Sequence, residues 1–226
     1  MGCRACANLI YFANAIHFFS AGTSPCLIMR IMLPFEPEAE KAHFLLIECL
    51  LTLKKYKAAL QYIKHFPVAH PSSIYLSALY MNEANYYFTI ANKALLARNA
   101  YLKSYHETQK QLSLPSTTAS QKYTLRGTQL RALYMLGWCQ FNLGDYQKTA
   151  RLFKAVFVRS RYYKKMKLAQ VSLGEEALRD LFLIYTKMGM TKTAFAEFAQ
   201  LKGKRYAYQA TKKLASQYSL EGNYAR

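Results

Sequence analysis

Acidic residues are scarce in this chain. Only 12 Asp and Glu stand against 31 Lys and Arg, a formal charge of +19. Apart from Glu175-Glu176, which opens a helix, the acids are scattered singly, so no paired-carboxylate site for general acid–base catalysis can be drawn. Glycine and proline are also few, nine and six in 226 residues, which excludes a loop-rich β fold and broad disorder. The chain has no G-x-x-x-x-G-K or G-x-G-x-x-G phosphate loop. Its histidines (His17, His43, His65, His70, His106) lack the spacing of metal ligands or a catalytic triad. The five cysteines (Cys3, Cys6, Cys26, Cys49, Cys139) are odd in number and irregularly spaced, which is no disulfide framework. Cys3-x-x-Cys6 lacks the second pair that a structural zinc site wants. Cys49 and Cys139 fall in apolar helical settings that predict buried thiols. The expectation is therefore no enzyme, no cofactor and no metal.

What the chain does have is apolar material, 52% hydrophobic and 15% aromatic, in stretches rich in Ala, Leu, Lys, Gln and Met that favour helix. An all-α fold follows. The positive charge is concentrated, with Asp145 the sole acid between Glu107 and Glu175. Such a field attracts nucleic acid, membrane headgroups or an acidic protein. A generally basic, solvated surface accounts for the same charge. At the N-terminus, Arg4 precedes the apolar run "ANLIYFANAIHFF" and then "SAG", with Ser20 and Gly22 at the small-residue positions of a secretory signal. Asn8, Asn14 and His17 interrupt that run, and it is short for a bilayer span. Residues 1–37 thus read either as a signal-like segment or as a poorly ordered start.

The internal pattern says more. Short turn-like phrases recur at Lys54-Lys55-Tyr56, Asn92-Lys93-Ala94, Gly144-Asp145-Tyr146, Gly189-Met190-Thr191 and Gly222-Asn223-Tyr224. After the first four come a small residue and, four positions on, a bulky one: Ala59 and Ile63, Ala97 and Tyr101, Thr149 and Phe153, Ala194 and Phe198. Apolar stripes at helical spacing precede several of them, as in Leu133, Leu136, Gly137 and Phe141, or Leu178, Leu181, Phe182 and Tyr185. Each unit reads as helix A, a tight turn and helix B. The small residue lets the two helices approach, and the bulky one fills the gap a turn later. A single hairpin cannot bury its apolar face alone, so neighbours must stack.

On these residues the chain resembles the tetratricopeptide repeat family, with its pattern W-x2-L-G-x2-Y, G-x-Y, A-x3-F and P. The best unit, residues 133–157, has Leu136-Gly137, Gly144, Tyr146 and Phe153 in place, with Leu133 for Trp and Thr149 for Ala. The next keeps Leu181, Tyr185, Gly189, Ala194 and Phe198, with Phe182 where glycine is expected. The unit around Tyr56 keeps Ala59 and Pro71, and the unit over residues 78–105 is weak. The resemblance implies an α-solenoid of stacked antiparallel hairpins, about four and a half of them. More loosely the chain is similar to bacterial cell-envelope proteins of this family. That implies a periplasmic or membrane-associated setting, against a cytoplasmic alternative.

Spacing from Ala59 to Ala97 is 38 residues, from Ala97 to Thr149 52, and from Thr149 to Ala194 45, against about 34 in the regular repeat. The excess is placed in "SLPSTTASQ" and in "RSRYYKKMKLAQVS", a basic extension. The organisation expected is an N-terminal segment over 1–37, degenerate hairpins over 38–112, a polar linker over 113–127 and repeats over 128–226. The last repeat stops after its turn, from which a fragment of a longer repeat protein is expected.

Recognition of a protein partner is the function that the resemblance implies. The concave face of such arrays is lined by helix A residues off the packing stripe. Here those are Arg131, Tyr134, Trp138 and Phe141 in one unit, Glu176, Arg179, Leu183 and Lys187 in the next, and Lys212 and Ser216 in the last. Tyr134, Trp138 and Phe141 form one aromatic stripe. Trp138 has two readings that stay open, a groove residue or a ring packed on the neighbouring repeat. The alternative function is binding of nucleic acid or another polyanion through Arg159, Arg161, Tyr162, Tyr163, Lys164, Lys165 and Lys167. There cations would meet phosphates and tyrosines would stack on unpaired bases. A solvated loop explains the same stretch.

Overall fold

The computed structural model describes residues 37–169, 171–190 and 193–220. The signal-like segment, Cys3-x-x-Cys6 and Gly222-Asn223-Tyr224 lie outside the described residues. The chain divides into two compact units, Met1–Cys49 and Leu50–Arg226. In the first, helix α1 (Pro37–Thr52) buries Ala39, Phe44, Leu46 and Ile47 before it runs on past the division. Cys49, expected to be a buried thiol, is exposed. It lies two residues past Ile47, which turns it off the buried stripe.

The second unit holds α2 (Tyr56–Ala69), α3 (Leu76–Asn85), α4 (Ala94–Ser113), α5 (Ala119–Asn142), α6 (Tyr146–Lys165), α7 (Gly174–Met188), α8 (Ala194–Lys202) and α9 (Lys204–Leu220). No strand occurs among the described residues. Successive helices pack on one another from α3 through α7, and α8 packs on α9. Helix α3 also touches α5, and α7 touches α9. Helix A of one hairpin thus lies against helix A of the next, the stacking of a tetratricopeptide-like α-solenoid.

The turns carry the repeat register. Lys54 (φ 58°), Asn92 (φ 52°), Gly144 (φ 79°) and Gly189 (φ 66°) all adopt the left-handed conformation, each at the first position of its turn phrase. In three of them the next residue donates its N–H five residues back: Lys55 to Leu50 at 2.8 Å, Asp145 to Gln140 at 3.0 Å, Met190 to Tyr185 at 3.1 Å. That bond closes the helix in a Schellman motif and occupies a carbonyl that would otherwise be orphaned. Beyond the turn, Ala59, Ala97, Thr149 and Ala194 are all fully buried, as are Tyr101, Phe153 and Phe198. Gly137 shows why the crossing needs small residues. A Cβ built there would sit 2.4 Å from Phe153 Cε1.

The second hairpin departs from this pattern in one place. Helix α3 runs into a π-turn over Tyr86–Ile90, and the closing bond lengthens by a residue, from Lys93 to Tyr87. Counted back from the turn with that extra residue, Ala84 takes the place of Gly137 and Asn85 the place of Trp138. Ala84 is fully buried and clusters with Tyr101, and Asn85 Oδ1 accepts the Tyr101 hydroxyl proton at 2.7 Å. The α3–α4 contact is also polar. Ser104 donates to the Ser77 carbonyl at 2.8 Å, Ser77 to Gln111 Oε1 at 3.2 Å, and Gln111 Nε2 to the Ser73 carbonyl at 3.1 Å, all buried. Hydrogen bonds here stand where apolar side chains mark the other units.

Two expected insertions are helical over part of their length. Residues 119–127, expected as linker, are the first turns of α5. Thr118 caps that helix through a reciprocal pair of bonds with Gln121, and such a capping box starts a helix rather than a loop. Residues 159–165, expected as a basic extension, are the last turns of α6. Lys164 and Lys165 there lie at the negative end of the helix dipole. The long repeat spacing is therefore taken up as longer helices: α4 and α6 have 20 residues each and α5 has 24.

Candidate functional site

Helices α3 and α5 are the A helices of consecutive hairpins, and a cleft of about 390 Å³ opens between them. Its apolar part comes from Ala78, Met81, Met135 and Leu173, and its polar part from Asn82, Asn85, Thr128, Arg131 and Tyr134. Arg131 is exposed, and its guanidinium brings positive charge to the cleft wall. The Asn85 amide is oriented by its bond from buried Tyr101. With Oδ1 taken up in this way, the Asn85 NH2 remains as a donor.

Of the residues that the sequence assigns to the concave face, Arg131 and Tyr134 line this cleft, and its α3 side was not among them. The one-residue π-turn hid the register of α3, and nothing in hydrophobic periodicity signals such a turn.

The aromatic stripe of α5 is half-buried and packs against rings of its own hairpin. Trp138 meets Phe153 at 5.6 Å between ring centroids, Phe141 at 5.4 Å and Tyr134 at 6.5 Å. Phe141 in turn meets Tyr146 at 5.5 Å. All three stripe residues pack against the cluster around Phe153, Leu178 and Leu181.

Tyr134 joins two A helices. Its hydroxyl donates to Asp180 Oδ2. Burial, with that bond second, pushes the Tyr134 hydroxyl up to about 12. Burial likewise raises the Asp180 carboxyl above its ordinary value, against the lowering effect of the Tyr134 bond. Asp180 went unnoticed in the sequence, although it lies one helical turn beyond Glu176.

On α7, Glu176, Asp180, Leu183 and Lys187 share one stripe. Arg179 stands beside it, exposed, 3.9 Å from Glu176. Leu183 and Lys187 are exposed, and so are Lys212 and Ser216 on α9. The structure thus brings Arg131 and Tyr134 to the cleft and links them through Asp180 to the α7 stripe. Lys212 and Ser216 stand on α9 and line neither the cleft nor the α7 stripe.

Three of the seven residues of the polyanion stretch, Arg159, Arg161 and Tyr163, are engaged within the chain. Arg159 donates to the Tyr105 hydroxyl at 3.0 Å and lies over that ring at 5.9 Å. Arg161 donates to the Leu201 carbonyl at 2.8 Å. Tyr163 donates to Gln129 Oε1 at 2.8 Å, with Arg126 over its ring at 5.9 Å. Tyr162, Lys164, Lys165 and Lys167 remain exposed.

No group of three or more His, Cys, Asp or Glu among the described residues is placed to hold a metal ion. No helix among them is long and apolar enough to cross a membrane. Cys139 is buried, and burial pushes its thiol up to about 12, which keeps it protonated and unreactive.

A family model for the tetratricopeptide repeat matches residues 131–158. The chain carries a tetratricopeptide repeat. The matched segment runs from the middle of α5 through the Gly144 turn into α6, the hairpin in which Gly137 and Phe153 meet. No curated protein and no solved structure matches the chain. The tetratricopeptide repeat is a protein-interaction module, and its A helix is the one that contributes Arg131 and Tyr134 to the cleft.

Proposed function

We propose that this chain is a non-enzymatic scaffold that binds a segment of a partner protein on its helix A face. The cleft between α3 and α5 is the anchor point, and the α7 stripe extends the surface. The observation that carries this reading is the cleft itself. It combines an apolar floor with convergent polar groups between the A helices of consecutive hairpins, the form expected of a recognition site. Its donors, Arg131 and the Asn85 amide, favour acceptor groups on the partner, such as backbone carbonyls or acidic side chains.

A photoreactive phenylalanine analogue at Asn82 is expected to cross-link a discrete partner in an extract of the native source. The same group at exposed Val68 on α2 is expected not to, and Arg131→Glu should weaken the Asn82 adduct. Adducts of equal yield from both positions, or from Val68 alone, would remove the helix A face from the account.

A further inference from the structure

A second cleft lies on the opposite type of surface, between two B helices. It has a volume of about 660 Å³ and is walled by α6 and α8, with Lys154, Phe157, Val158 and Arg161 on one side and Glu197 and Leu201 on the other. Its floor is apolar and partly open to solvent. Val158 is 58% exposed, and Tyr162, one turn further along α6, is 55% exposed. Apolar side chains left open beside a cleft mark a place where another molecule can remove them from water.

The charge around the floor that is not paired within the wall is positive. Glu197 is the only acid on the cleft wall, and it is already engaged: Lys154 Nζ lies 2.9 Å from Glu197 Oε2, and the Tyr185 hydroxyl donates to the same oxygen at 3.2 Å. Arg161 is braced across the wall by its 2.8 Å bond to the Leu201 carbonyl and by the Phe157 ring, 5.5 Å from the guanidinium. Its remaining N–H groups are available to a ligand. Arg151 and Lys165, both exposed, continue the Val158–Tyr162 stripe at its two ends. An aliphatic strip bordered by cations complements an aliphatic strip bordered by carboxylates.

We propose that the α6–α8 groove docks an acidic, amphipathic helical segment of a partner protein. Aliphatic side chains of that segment would cover Val158 and Leu201, with its carboxylates on Arg161 and Lys165. This site is separate from the helix A cleft and does not rest on it. The structure favours a peptide over a nucleic acid here. Stacking needs open aromatic faces, yet Phe157 is buried and Tyr163 is held by Gln129 and Arg126, which leaves only Tyr162.

The test uses the full chain and fluorescence anisotropy with three labelled probes. One is a synthetic helical peptide of about 18 residues, five turns long, with leucine along one face and glutamate elsewhere. The second has lysine in place of every glutamate, and the third is a single-stranded RNA. The glutamate peptide should bind at low salt, and Val158→Asp should weaken it roughly tenfold, about 1.4 kcal/mol. Tyr162→Ala, at a second exposed position, should weaken it in the same direction without shifting Tm, and the lysine peptide should not bind. The proposal is overturned if the glutamate peptide fails to bind at low salt. It is equally overturned if neither variant changes that binding, or if only the RNA binds.

Discussion

Phe153→Ala is expected to cost about 3–5 kcal/mol of stability, the range for deleting a buried aromatic ring. Phe153 is fully buried in the core shared by α5, α6 and α7. Tyr134 and Trp138 bound its ring at 5.5 and 5.6 Å, and across from it Gly137 offers no side chain to collapse into the gap. The cavity would therefore persist, which places the loss toward the upper part of the range. Denaturant unfolding monitored by circular dichroism gives the number. A loss below about 1 kcal/mol would mean that Phe153 does not hold this hairpin together. Gly137→Ala taken alone should also destabilise, because its new methyl meets a ring with no room to move. In the Phe153→Ala background the same methyl should be tolerated, so the double variant falls short of the sum.

Trp138→Ala is the second large effect, about 2–3 kcal/mol, less than a full core deletion because the ring is half-buried. Two roles were open for this side chain from sequence alone, partner contact or packing. The contacts with Phe153, Phe141 and Tyr134 favour packing. Each kcal/mol should lower Tm by about 2–4 °C in a chain of this size, so thermal unfolding reads the effect directly. An unchanged Tm together with loss of the Asn82 cross-link would return Trp138 to the binding surface.

The register of the hairpins was legible because it rests on local chemistry. A left-handed turn residue, a small residue at the crossing and a bulky one a turn later are each visible in a single chain, and Gly144, Thr149 and Phe153 fall where that pattern puts them. The second hairpin was obscure for two physical reasons. Its π-turn shifts Ala84 and Asn85 by one residue relative to the turn, and its helix contact is made by Ser77, Ser104 and Gln111, which carry no hydrophobic signal. The same shift hid the α3 wall of the cleft. The basic stretch was read from charge alone, whereas Arg159 and Tyr163 spend their polar groups on Tyr105 and Gln129, partners more than thirty residues away. Asp180 was missed for the same kind of reason, since its partner Tyr134 stands on another helix.

Both proposed surfaces depend on that register, because it decides which side of each helix faces outward. Lys54 and Gly144 test it most directly, as the same turn position filled by a lysine in one hairpin and a glycine in another. An L side chain in the left-handed region is strained, by about 1–2 kcal/mol, while glycine is not. Lys54→Gly should therefore raise stability by about 0.5–1 kcal/mol net of the extra unfolded-state entropy, and Gly144→Ala should lower it by about 1 kcal/mol. Thermal unfolding of the two variants beside the parent chain is the measurement. A rise for the first with a fall for the second is the result this register predicts, and a fall for Lys54→Gly with no change for Gly144→Ala would contradict it.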